Sequence, residues 1–274
     1  MKPARFAAAC FALAALFASP ACAPPEPVRP PAPRPAPPPP PPPAPPAPDP
    51  LGAKPEPAAA GPFTPPSPLT SAGPAGSKLW LFERHNVPLV SVALVVPYGS
   101  SSDPADAGGL THLAADMIDE GAGSRDALAF SSALEELGAR LVARADRDYS
   151  VVAVETTAEN LDKALALLGD AVLRPRHSLK DFARVTALWK NALRARGDDP
   201  GEVARVVSPA AFFGPSHPYG RPTEGSLGGR PITRERVTAW HRRLWRPEAA
   251  TFVVAGDVTS QRASSALEAA FKGW

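Results

Sequence analysis

One histidine and two carboxylates recur at four-residue steps near the middle of the chain. His112, Asp116 and Glu120 would stack on one face of a helix, while the apolar residues between them share another face. We therefore predict a helix that is entered through Gly108-Gly109 and ends at Gly121. An imidazole and a carboxylate one turn apart could hold a metal ion. Alternatively, His112 and Asp116 form a hydrogen-bonded or charged pair on a half-exposed helix.

The segment around these residues resembles a known zinc site. Its sequence Gly-Leu-Thr-His-Leu-Ala-Ala-Asp-Met, residues 109–117, is similar to the zinc-site helix of the insulinase/pitrilysin-type metallopeptidases, the inverted zincins of family M16. In that family, two histidines of a His-x-x-Glu-His motif bind zinc, and the glutamate between them is the general base. The first histidine matches His112, the second matches Asp116, and the glutamate matches Ala115.

The third zinc ligand of the family is a glutamate on a later helix that ends in Asp-Asp-Pro. The matching position in this chain is Ala192, ahead of residues 198–200. The resemblance therefore implies the family fold together with a degenerate, non-catalytic site. We expect no bound cofactor, with His112 and Asp116 left as a remnant of the zinc site. An active enzyme with a rearranged site of His112, Asp116 and Glu120 remains an alternative.

The remaining pattern along the chain predicts an α+β domain. Antiparallel strand pairs alternate with helices, which favours a largely antiparallel sheet with helices packed on one face. Further short motifs follow the order of the family's N-terminal half-domain, among them Leu134-Glu135-Glu136-Leu137-Gly138 and His217-Pro218-Tyr219-Gly220. The predicted strands are 78–83, 89–96, 140–145, 149–156 and 250–255, and the predicted helices after the first are 126–137, 158–173, 179–196, 202–213, 233–244 and 259–271.

Members of this family pair two half-domains into a clamshell that encloses peptide, and residues 76–274 correspond to one half. The resemblance therefore implies two kinds of partner. One is a second half-domain, or a catalytic zinc-containing subunit of the same family. The other is unfolded peptide. Either the chain works with a partner half, or it is the first half of a longer protein. A peptide-binding scaffold that does not take part in proteolysis is the second hypothesis.

The first 75 residues predict export and a spacer. A basic start and the apolar run 6–18 have the form of a signal peptide, residues 1–21. Cys22 would then be the lipid-bearing first residue of a membrane-anchored periplasmic lipoprotein. A soluble periplasmic or secreted protein is the alternative. Residues 22–75 are rich in Pro and Ala and are predicted to be a disordered linker.

Composition excludes several classes of function. The formal net charge is +2, which gives no electrostatic case for nucleic acid binding. The only cysteines are Cys10 and Cys22, so the domain can contain neither a disulfide nor a thiolate metal site. Neither a serine-hydrolase elbow nor a phosphate-binding loop occurs. We expect His177 and His241 at the surface, and Asp199 in a helix-terminal role.

Overall fold

The fold is built around one mixed sheet of six strands. The computed structural model describes Gly52 and residues 61–274. Cys22, the predicted signal segment and most of the predicted linker lie outside the described residues, and those predictions stand untested. The strands are β1 (Leu69–Ala72), β2 (Lys78–Glu83), β3 (Leu89–Val96), β4 (Arg140–Ala145), β5 (Ser150–Thr157) and β6 (Thr251–Gly256).

The strands lie in the order β1-β2-β6-β3-β5-β4. Only β2 and β6 run parallel, and every other neighbouring pair is antiparallel. In the centre of the sheet, Val92 of β3 is opposite both Val154 of β5 and Val254 of β6. The predicted α+β class with a largely antiparallel sheet is therefore confirmed.

Side chains along the central strands alternate between buried and partly exposed positions. Val92 and Leu94 are buried, whereas Ala93 and Val95 between them are only partly covered. Because successive side chains of a strand point to opposite faces, one face of the sheet forms the core and the other is more open. The helices that contribute residues to the core are α1 (Leu110–Asp116), α2 (Ala127–Glu136), α3 (Leu161–Leu173), α4 (Leu179–Ala195), α6 (Arg234–Leu244) and α7 (Ser260–Ala270). Helix α5 (Pro200–Phe213) has no buried residue and lies outside the core.

The folded part begins earlier than the predicted boundary at residue 76. Strand β1 lies within the predicted linker and pairs in an antiparallel register with β2, with Leu69 opposite Leu81. All four residues of β1 are exposed. A short strand that buries no side chain has no hydrophobic periodicity, which is why the sequence gives no sign of it.

Helix α1 is shorter than predicted. It ends at Asp116 and not at Gly121, so the prediction that Glu120 lies on this helix is wrong. Beyond Asp116 the backbone turns to bond with the segment after α3. The N–H of Gly123 donates to the carbonyl of Arg174, and the carbonyl of Gly121 accepts from the N–H of Arg176. These longer-range bonds replace the next helical turn.

Two further expectations about histidines are also wrong. His177, between α3 and α4, and His241, on α6, are both only 3% exposed. Asp199 does have the predicted helix-terminal role, because its side chain accepts from the N–H groups of Gly201 and Glu202 at the start of α5. Within residues 61–274, every helix is too short or too polar to cross a membrane.

Candidate functional site

Helix α1 is held at its N-terminus by a buried carboxylate. Asp103 accepts from the N–H of Gly109 at 2.7 Å and from the N–H and the hydroxyl of Thr111 at 2.9 and 2.5 Å. The indole N–H of Trp240 on α6 donates to the same hydroxyl at 2.8 Å. Burial raises the pKa of Asp103, although the hydrogen bonds from Thr111 and Gly109 and the charge of Arg221 oppose the shift. The position of α1 therefore depends on a satisfied polar network.

His112 and Asp116 form the predicted pair on α1. The Nε2 atom of His112 lies 3.3 Å from Oδ2 of Asp116, and both side chains are partly exposed. Burial raises the pKa of the Asp116 carboxyl, while the charge of His112 opposes that shift. The four-residue spacing thus produces a direct contact between the two side chains.

The position that corresponds to the family's third ligand lies in the same cavity. Ala192 of α4 lines a cavity of about 480 Å³ together with His112 and Asp116. Leu188 and Leu193, also on α4, contribute to its apolar wall. Ala115 is 2% exposed and lines an adjoining cavity with Asp116. The structure therefore brings the four positions identified from the sequence into one region.

Glu120 is directed to a different partner. Its carboxylate forms an ion pair with Arg184 of α4. Among residues 61–274, no group of three or more His, Cys, Asp or Glu side chains is arranged to hold a metal ion. A catalytic zinc takes three protein ligands and one open position, whereas α1 and α4 offer this cavity only His112, Asp116 and the methyl group of Ala192. The carboxylates of Glu202 and Glu224, which also line it, are paired with arginines. The described residues therefore do not fit a catalytic zinc ion.

An ion-pair network forms the other wall of the cavity. The sequence gives no sign of this network. Glu224 pairs with Arg196 at 3.2 Å and with Arg205 at 3.0 Å, and Arg205 also pairs with Glu202 at 2.7 Å. All four residues line the cavity. Arg196 and Glu224 are separated by 28 positions, so no short-range spacing signals their contact.

The network fastens the loop around Glu224 to the helices. The indole N–H of Trp189 donates to the carbonyl of Glu224 at 2.8 Å, and Arg196 donates to the carbonyl of Gly225. Burial opposes the ionisation of Glu224, but the hydrogen bond and charge of Arg205, with the charge of Arg196, outweigh it and lower the pKa of the carboxyl. These contacts keep Glu224 ionised beside the cavity at neutral pH.

Comparisons with known proteins agree with this architecture. The model of the insulinase family, peptidase family M16, matches residues 80–198, and the model of the peptidase M16 inactive domain matches residues 231–274. A protein named as an uncharacterized zinc protease of Mycobacterium leprae is 27% identical over 169 residues, which are 61% of this chain and 38% of that protein. A similarly named protein of Streptomyces coelicolor is 22% identical over 175 residues, 64% of this chain and 38% of that protein.

Solved structures share the fold. A peptidase M16 inactive domain from Pseudomonas fluorescens superposes with a TM-score of 0.70 at 23% identity, covering 74% of this chain and 50% of that one. The periplasmic protease PqqL from Escherichia coli superposes with a TM-score of 0.68 at 16% identity, covering 78% of this chain and 24% of that one. The chain belongs to the insulinase family of peptidases, family M16. It matches about half or less of the length of these relatives.

Proposed function

We propose that this protein is a non-catalytic member of the family that acts as an accessory half or subunit of a peptidase chamber. The observation that supports the proposal most directly is the composition of the cavity around His112. Of the side chains there with metal-ligand chemistry, Glu202 and Glu224 are paired with arginines, which leaves His112 and Asp116. The third ligand position is Ala192, and Ala115 stands where the family has its general base. A general base of this kind contributes about 10²- to 10⁴-fold to the rate of the reaction. Its loss alone would therefore lower the rate of peptide hydrolysis by about that factor.

The missing functions would come from a partner. The chain covers 46% of a structure described as the first half of PqqL, which supports the view that it is one half of a larger assembly. We infer that its partner is a second half-domain or a zinc-containing subunit with an intact His-x-x-Glu-His motif. Unfolded peptide would be enclosed between the two.

The test is peptide cleavage by the full chain, alone and together with that partner. We expect no hydrolysis of a fluorogenic peptide library by the chain alone, and at least a tenfold stimulation of the partner's kcat/KM. His112→Ala should leave the stimulation within about twofold, because His112 has no role in hydrolysis under this proposal. Zinc-dependent cleavage by the isolated chain that is lost in His112→Ala would contradict it.

A peptide-binding scaffold that takes no part in proteolysis is the second candidate. The apolar wall of Leu188, Ala192 and Leu193 supports it, because it offers a surface for an aliphatic side chain. Purification of the chain from its native cells distinguishes the two. The accessory role predicts that a family member with an intact motif co-purifies, and the scaffold role predicts that none does.

Export and lipid anchoring through Cys22 are part of the first proposal. The form of residues 1–22 supports them, and the periplasmic location stated for PqqL is consistent with them. Metabolic labelling with a palmitate analogue should label the chain and should fail to label Cys22→Ser. Release of an unlabelled natural chain into the soluble periplasmic fraction would favour the soluble exported form.

A further inference from the structure

Two histidines are buried against each other outside the candidate site. His177 belongs to the connection between α3 and α4, and His241 lies in the last turn of α6. Their ring centroids are 5.2 Å apart and the rings meet edge to face at 80°. The pair therefore bridges a loop and a helix that are distant in the sequence.

Each ring has one hydrogen-bonded nitrogen and one unpartnered nitrogen. Nε2–H of His241 donates to the carbonyl of Val172 at 2.8 Å, and Nδ1 of His177 lies 3.1 Å from the hydroxyl of Thr238. Within the described residues, Nε2 of His177 and Nδ1 of His241 are buried without a hydrogen-bond partner. A proton added to either ring would place a charged N–H where nothing accepts it.

Burial and the neighbouring charged groups both disfavour protonation of the two imidazoles. Burial lowers the pKa of His177 to about 4, with further contributions from Arg234 and Arg242 of α6. Burial likewise lowers the pKa of His241 to about 4; the hydrogen bond to Val172 opposes this shift, while His177 and Arg242 add to it.

Carboxylates on the neighbouring elements have other partners. Asp170 on α3 pairs with Arg174 and Arg125, and Asp181 on α4 accepts from the hydroxyl of Ser178. The charged side chains that act on the two imidazoles, Arg234 and Arg242, are both cationic.

The backbone at this contact is strained. His177 has a φ of 42°, a left-handed conformation that is unfavourable for a residue with a Cβ. A histidine held in this conformation depends on the packing of its side chain. Loss of the contact with His241 would therefore allow residues 174–178 to relax.

We propose that this histidine pair is an acid-sensitive latch: protonation of His177 and His241 releases the connection 174–178 from α6. The release would reach the candidate site, because Trp240, next to His241, donates to Thr111 at the start of α1. The latch is a property of the fold and does not depend on whether the chain is catalytic.

The effect of pH on the opening of the latch follows from the thermodynamic linkage between opening and proton binding. The folded pKa of about 4 lies below the ordinary value of 6.5 for both groups. The open state therefore takes up protons first as the pH falls, so the latch is stable above pH 6.5 and weakens between pH 6.5 and 4. Each released histidine should multiply the opening equilibrium constant by about 20 between pH 7 and pH 5.

Hydrogen exchange of the full chain at pH 7 and pH 5, corrected for intrinsic amide rates, tests the proposal. We expect exchange to accelerate at least tenfold in residues 174–178 and in α6, with a smaller change in β3 and β5. The double variant His177→Asn/His241→Gln cannot titrate, and asparagine tolerates the left-handed backbone. It should reduce the acceleration to less than twofold.

A matched control is His85→Gln, because His85 is exposed and far from the latch in sequence; it should leave the acceleration unchanged. Equal acceleration throughout the sheet, or persistence in the double variant, would overturn the proposal. If the double variant does not fold, NMR titration of the five histidines in the natural chain decides. The resonances of His177 and His241 should titrate below pH 5 together with the exchange, and titration of either near pH 6.5 would overturn the latch.

Discussion

At the scale of single residues, Asp103 sets the position of the candidate site. It is 4% exposed and receives three hydrogen bonds at the start of α1. Asp103→Asn keeps the shape but replaces one acceptor oxygen by an NH₂ group, which leaves a buried donor without its partner. We expect a loss of about 1–3 kcal/mol in the free energy of unfolding, measured by urea denaturation.

Asp106→Asn is the matched control for this prediction. Asp106 is half exposed and its ion pairs with Arg230 and Arg236 are 4.0 and 3.7 Å long. Its replacement should change the free energy of unfolding by less than about 0.5 kcal/mol. Equal effects of the two substitutions would show that the Asp103 network does not hold α1.

Glu224 is the second residue whose contacts shape the cavity. Glu224→Gln removes its charge opposite Arg196 and Arg205, and because these groups are partly exposed we expect a loss of only about 1 kcal/mol. The contribution of Glu224 is present above its ordinary pKa of 4.5 and is lost as the pH falls through its lowered folded value. The difference between variant and natural chain in urea denaturation should therefore vanish at strongly acid pH.

Glu202→Gln provides the comparison, since among residues 61–274 the Glu202 side chain forms an ion pair with Arg205 alone and is 44% exposed. It should cost less than half as much as Glu224→Gln. A larger loss from Glu202→Gln would mean that Glu224 does not organise the network.

At the scale of elements, the entry to α1 depends on a glycine. Gly109 has a φ of 95°, and a Cβ there would lie 2.7 Å from the carbonyl oxygen of Glu224 and 2.9 Å from the ring of Trp189. Gly109→Ala should therefore cost more than the roughly 1–2 kcal/mol expected from the left-handed backbone alone. It should also weaken the contact between α1 and the Glu224 loop.

Gly138→Ala separates the cost of the left-handed backbone from the cost of the close contact. Gly138 has a φ of 58°, but a Cβ at this position would have no neighbouring atom within 4 Å, so only the backbone cost applies. Thermal or urea unfolding of both variants should rank Gly109→Ala as clearly the less stable. The same loss in both would show that the close approach of the Glu224 loop has no energetic consequence.

Much of the order and many of the bounds of the helices and strands could be predicted from the sequence. Where a predicted bound was wrong, the cause is physical. The predicted bounds of β2, β3 and β4 agree with the structure, because short runs rich in apolar residues between turn signals are typical of strands. The end of α1 could not be predicted, because it depends on backbone bonds from Gly121 and Gly123 to residues after α3.

The same limit applies to the site. The contact of His112 with Asp116 follows from local spacing, whereas the ion pair of Glu224 with Arg196 depends on tertiary structure. The burial of His241 is not evident from the sequence, because its neighbours Arg242 and Arg243 suggest a solvated helix face.

At the scale of the whole molecule, the domain begins with β1. A chain that starts at residue 76 lacks the strand that pairs with β2, and it leaves the backbone edge beside Trp80 unpaired. We expect it to be about 1–3 kcal/mol less stable than a chain that starts at residue 61, and more prone to aggregate. Urea denaturation and light scattering of the two chains check this, and equal stability would restore the boundary at 76.

The central claim is that the cavity around His112 lacks a catalytic zinc site, and zinc stoichiometry tests it most directly. The natural chain and the variant Ala115→Glu/Asp116→His/Ala192→Glu, which installs the full motif, would be incubated with zinc, dialysed and analysed by mass spectrometry. We expect no retained zinc in the natural chain and about one ion per chain in the variant, because a catalytic site needs three protein ligands. About one zinc per natural chain that is lost in His112→Ala would contradict the claim.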